Sequence, residues 1–268
     1  MERNDGRHPP SADRDRVVLE LRRAGCVFAE EEADLLLAEA EDAPHLGRML
    51  AERVSGTPLE HVLGWTEFAG LRILVDRGVF VPRQRTRLLA REAAALAAAG
   101  DVVVDLCCGS GAVGAAVAAA VLGIHLHAAD LEPAAVRSAR RNLEPLGGHV
   151  HEGDLYAALP PAIRGRVRVL AVNAPYVPTG EIGRMPPEAR EHEPLLALDG
   201  GDDGLDVHRR VAADARSWLA AGGSVVIEAS RPQAPVTAAL FERRGMAARV
   251  VMDDDLDATV VVATAPAS

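Results

Sequence analysis

Four polar side chains stand where apolar runs end: Asp105 after Val102–Val104, Asp130 after "IHLHAA", Asp154 in "HEGDLY", and Asn173 after Val167–Val172. In an open α/β sheet the carboxyl ends of strands are where ligands bind. Between the first two lies Gly109-Ser110-Gly111-Ala112-Val113-Gly114, which has the spacing of a dinucleotide-binding loop. In that loop the first glycine ends the strand directly; here Asp105 does so, four residues earlier. Asp105 can hydrogen-bond an ammonium group or order the loop, and the glycines let backbone approach a ligand. Asp130 can accept both hydroxyls of a ribose while also serving as an acid at the start of the helix "EPAAV". Asp154 can reach an adenine amine, with Leu155 packing on the ring. The set favours a nucleoside with a charged amino-acid tail over a dinucleotide, and S-adenosylmethionine fits.

Asn173-Ala174-Pro175-Tyr176 then points to the reaction. Proline lacks an N–H and pushes the residue before it out of the helical region, so the four sit just past a strand. Methyl transfer to an amide or ring-attached amine is hard because the nitrogen lone pair is delocalised. A site must accept both N–H groups so that the lone pair is aimed at the methyl carbon. The Asn173 side-chain oxygen can be one acceptor and the Ala174 backbone carbonyl the other. Pro175 fixes the turn, and Tyr176 offers a face to the planar group. Positioning and charge complementarity then supply the catalysis, with no general base, nucleophile or metal.

The elements that carry these residues alternate. From about Arg87 the chain reads helix ("LLAREAAALAAAG"), strand ("DVVVDL"), glycine turn, helix ("GAVGAAVAAAVLG"), strand ("IHLHAAD") and helix ("EPAAVRSARRNLEPLG"). Strand ("RVRVLAVN"), helix ("LDVHRRVAADARSWLAAGG"), strand ("SVVIEAS"), helix ("APVTAALFERRG") and two last strands ("AARVVMD", "ATVVVATA") follow. Such alternation predicts a mostly parallel sheet covered on both faces. The last two strands are joined by "DDDLD", too short for a helical crossover, so the final strand is expected to be antiparallel. Before this, residues 13–63 show helical spacing broken by Gly25, Pro44, Gly56 and Pro58, while residues 1–12 read as disordered. "GWTEFAGLRILVDRGVFVPR" alternates around Gly70 and Gly78 and predicts a β-hairpin link.

Composition narrows the function class. The net charge of −10 argues against holding nucleic acid by general electrostatics. Residues 1–60 are acidic by themselves, with 14 acids against 8 arginines. The cysteines Cys26, Cys107 and Cys108 have neither metal spacing nor a disulfide pattern, which suits a reducing compartment. The charged N-terminus has no apolar signal core. Leu106–Ile124 is nineteen residues without a charge, but its Gly, Ala and Ser content reads as strand, turn and helix rather than a membrane span. A cytoplasmic protein without membrane contact is expected.

With these motifs in view, the chain resembles the HemK-type protein-(glutamine-N5) methyltransferases, which methylate a glutamine side chain in peptide chain release factors. That family carries Asn-Pro-Pro-Tyr after the fourth strand of the sheet and Asp-Leu-x-x-Gly-x-Gly after the first. The likeness runs from about Val62 to Ala263 and includes the hairpin segment and "EHEPLLALDGGDDGLDVHRR". It implies a seven-stranded, mostly parallel Rossmann-like methyltransferase sheet with an antiparallel last strand, plus a small N-terminal helical domain. The implied division is a helical substrate-recognition module over 1–63, a hairpin linker over 64–82 and an S-adenosylmethionine-dependent domain over 83–268. Implied for the cofactor are Asp105, Cys107, Cys108, Gly109, Ser110, Gly111, Asp130, Leu131, Asp154, Leu155 and Asn173. Implied for catalysis and substrate binding are Asn173, Ala174, Pro175 and Tyr176. The partner implied is a protein, a release factor above all, without stable nucleic-acid binding.

Two departures stand out. Ala174 replaces the first proline of the tetrapeptide, which keeps the backbone carbonyl. Arg85 and Arg87 stand where the family usually has acids, and with Arg72, Arg77, Arg83 and Arg91 they predict a basic strip at the domain junction. The runner-up activity is adenine-N6 methylation of DNA or RNA, since the same tetrapeptide serves that nitrogen; the acidic N-terminal module and the lack of a large recognition domain weigh against it. A non-catalytic binder of the same cofactor is disfavoured by Asn173 and Tyr176, and a nicotinamide oxidoreductase by the want of a catalytic set.

Overall fold

A computed structural model describes residues 10–267. Helices α1 (Pro10–Arg23), α2 (Ala29–Glu39), α3 (Ala43–Val54) and α4 (Leu59–Leu63) close on a core of their own, built from Val17, Leu21, Ala33, Leu36, Met49 and Leu50. The disorder expected over residues 1–12 is corrected at its end, because α1 begins at Pro10; residues 1–9 lie outside the described part. Proline is tolerated there because the first N–H of a helix has no intrahelical acceptor. Asp42 caps α3 by accepting the His45 N–H at 2.7 Å.

Strands β1 (Trp65–Phe68) and β2 (Leu71–Leu74) form the antiparallel hairpin, with Thr66 opposite Ile73. Its two-residue turn, Ala69-Gly70, has φ of 52° and 78°, the left-handed pair that matches strand twist. The expected pairing around Gly78 does not occur, since β2 stops at Leu74 and Val75–Pro82 runs on without strand partners.

The large sheet holds β3 (Val102–Leu106), β4 (His125–Asp130), β5 (His149–Glu152), β6 (Val167–Val172), β7 (Leu219–Glu228), β8 (Ala247–Asp253) and β9 (Ala258–Thr264) in the order β5-β4-β3-β6-β7-β9-β8. Only β9 runs against the rest of the sheet, pairing antiparallel with both β7 and β8. One face packs against α5 (Arg87–Leu96), α6 (Ala112–Ala120) and α7 (Pro133–Leu143). The other packs against α9 (Asp206–Trp218) and α10 (Ala234–Glu242), while α8 (Pro187–His192) lies in the segment after the tetrapeptide. All five residues of β3 are buried, as an apolar central strand covered on both faces should be. Strand order reverses between β3 and β6, which opens a crevice at their carboxyl ends.

Two expectations need correction. Helix α9 stops at Trp218, and "LAAGG" already belongs to β7, whose register against β6 shifts between Val167 and Val169. The glycines that read as a helix stop allow backbone to approach: a Cβ on Gly223 would stand 2.6 Å from the Val167 carbonyl oxygen. The basic strip is largely neutralised. Arg72 pairs with Glu39 at 2.8 Å, Arg77 with Glu52, Arg83 with Glu193 at 2.7 Å, Arg85 with Glu228 at 3.5 Å and Arg91 with Asp253 at 3.0 Å. The strip therefore ties the hairpin and its sequel to neighbouring elements rather than presenting an open cationic surface.

Candidate active site

The crevice is a single deep cavity. Asp105 sits one residue before the end of β3, with 1 % of its surface exposed, and its Oδ2 accepts the Gly114 N–H at 2.8 Å. Burial raises this carboxyl to about 8. The loop that follows is held in left-handed conformations at Cys107, Gly109 and Gly111, with φ of 57°, 54° and 79°. Such a conformation at a non-glycine residue is sparsely populated and persists only where its surroundings impose it. Gly109 N–H donates to Asp130 Oδ2 at 2.8 Å, and Asp130 Oδ1 accepts the Glu132 N–H at 2.9 Å. Asp130 thus serves the start of α7 as foreseen, orders the glycine loop as well, and lines the cavity. Burial pushes its pKa up and the two backbone donors pull it down.

From the far side, Asn142 of α7 donates to the Ser110 carbonyl at 2.8 Å and to the Leu74 carbonyl at 2.9 Å. The hairpin and the glycine loop are therefore fixed to one side chain. Ser110 Oγ is buried without a hydrogen-bond partner. Asp154, two residues beyond β5, accepts from Arg210 of α9 at 2.6 Å, and Leu155 has φ 47°.

Asp105, Cys107, Cys108, Gly109, Ser110, Asp130, Leu131, Asp154, Leu155 and the whole tetrapeptide Asn173–Tyr176 line this one cavity. Gly111 does not. Its glycine is required elsewhere: at φ 79° it caps α6, and a Cβ would press on Leu143 of α7 at 2.9 Å.

At the other end, Asn173 Nδ2 donates to Thr86 Oγ1 at 3.5 Å, which turns the amide nitrogen toward Thr86 and leaves Oδ1 with its lone pairs free. Ala174 is 2 % exposed, and among the described residues neither its N–H nor its carbonyl has a backbone partner. A buried carbonyl without a donor is costly, so this one is poised for a ligand's N–H. The Tyr176 hydroxyl donates to Glu228 Oε1 at 3.0 Å, and the Tyr176 carbonyl accepts from Gln233 Nε2 at 2.9 Å. Burial raises the Glu228 carboxyl, while Thr86, Arg85 and Tyr176 hold it down. Val177 is bound on both sides, its N–H to the Leu198 carbonyl and its carbonyl to the Gly200 N–H. Gly204 at φ 76° packs so close that a Cβ would collide with the Tyr176 carbonyl. The segment "ALDGGDDGLD" is therefore a buttress for the tetrapeptide.

Thr86, Glu228, Gln233 and Asn142 carry no site role in the sequence, and Gly204 is marked only as part of the segment "EHEPLLALDGGDDGLDVHRR". Glu228 ends β7 as Asp130 ends β4, so the strand-end signal that found the aspartates also covers it. Gln233 reaches across 57 positions to its partner, and nothing local marks it.

The donor set suits a cofactor that carries a nucleoside and a positive charge. Asp105, Asp130, Glu132 and Asp154 give the loop end carboxyl groups that a cation can engage, and the orphan Ser110 hydroxyl supplies a buried polar contact without a protein partner among the described residues.

A profile for the methyltransferase small domain matches residues 70–180. Release factor glutamine methyltransferase of Streptomyces coelicolor is 39% identical over 204 residues, 74% of this chain and 72% of that protein. 4-Amino-L-phenylalanine/4-methylamino-L-phenylalanine methyltransferase of Streptomyces pristinaespiralis is 33% identical over 82% of this chain and 77% of its own. The crystal structure of a methyltransferase from Pyrococcus furiosus shares the fold, with a TM-score of 0.57 at 15% identity over 82% of this chain and 99% of that one.

Proposed function

Because the chain belongs to the release factor glutamine methyltransferase family, we propose that it methylates the side-chain amide nitrogen of a glutamine in a protein, a peptide chain release factor foremost. The observation that carries this reading is the Ala174 carbonyl, buried and unpaired beside the free Asn173 oxygen at the end of β6. Asp105, the Gly109–Ser110 loop, Asp130, Leu131, Asp154 and Leu155 would hold S-adenosylmethionine, which would supply an electrophilic methyl carbon and leave as S-adenosylhomocysteine, one amide proton passing to solvent. Asn173 Oδ1 and the Ala174 carbonyl accept the two N–H groups of the amide, and so hold its plane with the lone pair turned toward the loop end. Pro175 fixes the turn, and Tyr176, tied to Glu228, forms a wall. Pre-set acceptors of this kind need no reorganisation during reaction.

Residues 1–63 are proposed to recognise the protein substrate, 64–82 to link, and 83–268 to catalyse, in the cytoplasm. Among the described residues no helix is long and apolar enough to cross a membrane. A ring-borne amine, the acceptor named for the S. pristinaespiralis relative, has the same delocalised lone pair and fits the same two acceptors. Incubation with radiolabelled S-adenosylmethionine and, separately, release factor, RNA and DNA tests the proposal. Label in the release factor alone is the expected result; label in nucleic acid refutes it.

Two further outcomes follow. Asp105 is raised to about 8 by burial, so below that pH it must release a proton to pair with a cation. Its folded value lies above its unfolded one, so ionisation costs stability as pH rises from about 4 to about 8. Pairing with a cationic cofactor recovers that cost. Affinity for S-adenosylmethionine should therefore rise between pH 6 and 8, by at most about tenfold per pH unit, and Asp105→Asn should flatten the rise. Calorimetry at several pH values measures it, and a flat profile for the parent contradicts it.

Ala174→Pro should retain turnover to within a few-fold. Proline keeps the carbonyl, and the N–H it removes has no backbone partner. Stability should stay level or rise by roughly 0.4–1 kcal/mol in urea denaturation, through the unfolded state. Loss of methylation with cofactor binding intact would show that the alanine side chain shapes the acceptor pocket.

A further inference from the structure

Three guanidinium groups line the cavity, those of Arg83, Arg85 and Arg210. Arg83 is spent on both oxygens of Glu193 at 2.7 Å, and Arg210 on Asp154 at 2.6 Å. Arg85 differs. Its side chain is 45% exposed, and its Nε lies 3.5 Å from Glu228 Oε1. Its guanidinium carbon stands 5.9 Å from the centroid of the Tyr176 ring, the wall of the acceptor end. Glu228 is 3% exposed in its side chain; its Oε1 takes the Tyr176 hydroxyl at 3.0 Å, and its Oε2 is buried without a hydrogen-bond partner among the described residues. Glu228 thus anchors Arg85 by the Nε side of its plane. A guanidinium carries five donors in a rigid fork, so the edge formed by the two terminal nitrogens is left for a second anion. A neutral amide oxygen can take a single bond from that edge, whereas a carboxylate takes two parallel charge-assisted ones, and Phe80, Pro82 and Tyr176 line the same cavity.

We infer that Arg85 binds a carboxylate carried by the acceptor, close to the nitrogen that is methylated. This rests on the proposed acceptor-nitrogen reading and narrows its substrate class to acceptors bearing an acid. One source is an acidic side chain beside the target glutamine in a protein; the other is the α-carboxylate of a free amino acid with a ring amine.

The test compares two pairs of acceptors on the full chain. The first is a peptide with one glutamine flanked by glutamate, set against the same peptide flanked by serine. The second is 4-amino-L-phenylalanine against its carboxamide. Each is measured for kcat and KM, and for Kd by calorimetry with the chain saturated with S-adenosylhomocysteine. In one pair the carboxylate member should be favoured by roughly 10–100-fold, in KM and Kd rather than kcat, the range for a hydrogen bond to a charged group. The pair that discriminates identifies the source. Arg85→Gln should shrink the preference to about three-fold or less, and Arg85→Lys should recover only part of it because the fork is lost. The Kd of S-adenosylmethionine should hold to within roughly two-fold in both variants, since they address the acceptor end. A parent that does not discriminate in either pair overturns the inference, and so does an Arg85→Gln variant whose main defect is cofactor binding. If no acceptor is methylated while the Arg85-dependent preference in Kd persists, the activity reading fails and the role of Arg85 stands.

Discussion

Asn173→Ala is expected to lower kcat by on the order of 10²–10³ while leaving the fold intact, the range seen when one pre-set polar contact to a reacting group is removed. Asn173 lies just past β6, outside the ladder, so truncating its side chain leaves the strand pairing untouched. Its one side-chain bond is a long one, Nδ2 to Thr86 Oγ1 at 3.5 Å, so truncation should cost little stability. Removing Oδ1 leaves the acceptor nitrogen held by the Ala174 carbonyl alone, free to rotate about that bond and to conjugate its lone pair. The loss should therefore fall on kcat more than on the KM of the acceptor. Cofactor affinity, measured separately by calorimetry, accounts for any contact Asn173 makes there. Turnover within a few-fold of the parent would remove Asn173 from the positioning role.

Gly204→Ala should be nearly as damaging from outside the cavity. At φ 76° an L side chain is strained by about 1–2 kcal/mol. The added Cβ also collides with the Tyr176 carbonyl and with the Gln233 amide that bonds to it. One partner is backbone, so relief requires the tetrapeptide or the turn to shift. A total of about 2–3 kcal/mol in stability is expected from chemical denaturation, within the usual span of single substitutions. A displacement near 1 Å at Tyr176 should cost about 10²-fold in turnover, because acceptor geometry is what the site supplies. Cofactor Kd is the internal control: the loop end, held by Asp105, Asp130 and Asn142, does not touch Gly204. Parent-like kinetics in a destabilised variant would show that the buttress serves folding alone.

What was legible in the sequence follows from the range of each interaction. The alternation of elements and the antiparallel β9 were readable because apolar runs and short turns are local. The strand-end acids were readable because chain direction puts every parallel strand's carboxyl end on one side of the sheet. Gly109 and Gly111 look equivalent in the sequence, yet one lines the cavity and the other meets Leu143, a neighbour 32 positions away. The end of α9 was misread because Gly222-Gly223 serves a register shift in β7, and glycine pairs stop helices in many other contexts. Thr86 and Gln233 act on Asn173 and Tyr176 through tertiary contacts only, so their residue types announce nothing, whereas Gly204 lies in a segment marked by resemblance but without a role. The arginine strip was readable as charge, but its acidic partners are spread from Glu39 to Asp253.

The central claim is that the two oxygens beyond β6 aim an amide nitrogen at a methyl donor. Acid hydrolysis of the labelled release factor tests it most directly, because the chemical fate of the label depends on the atom methylated. Hydrolysis of an N-methylated glutamine amide cleaves the carbonyl–nitrogen bond and frees the label as methylamine. The account predicts label in methylamine, arising from a peptide with one modified glutamine, and its loss in Asn173→Ala. Label released as methanol, which marks a carboxylate ester, or retained on a backbone or ring nitrogen after hydrolysis, would contradict it.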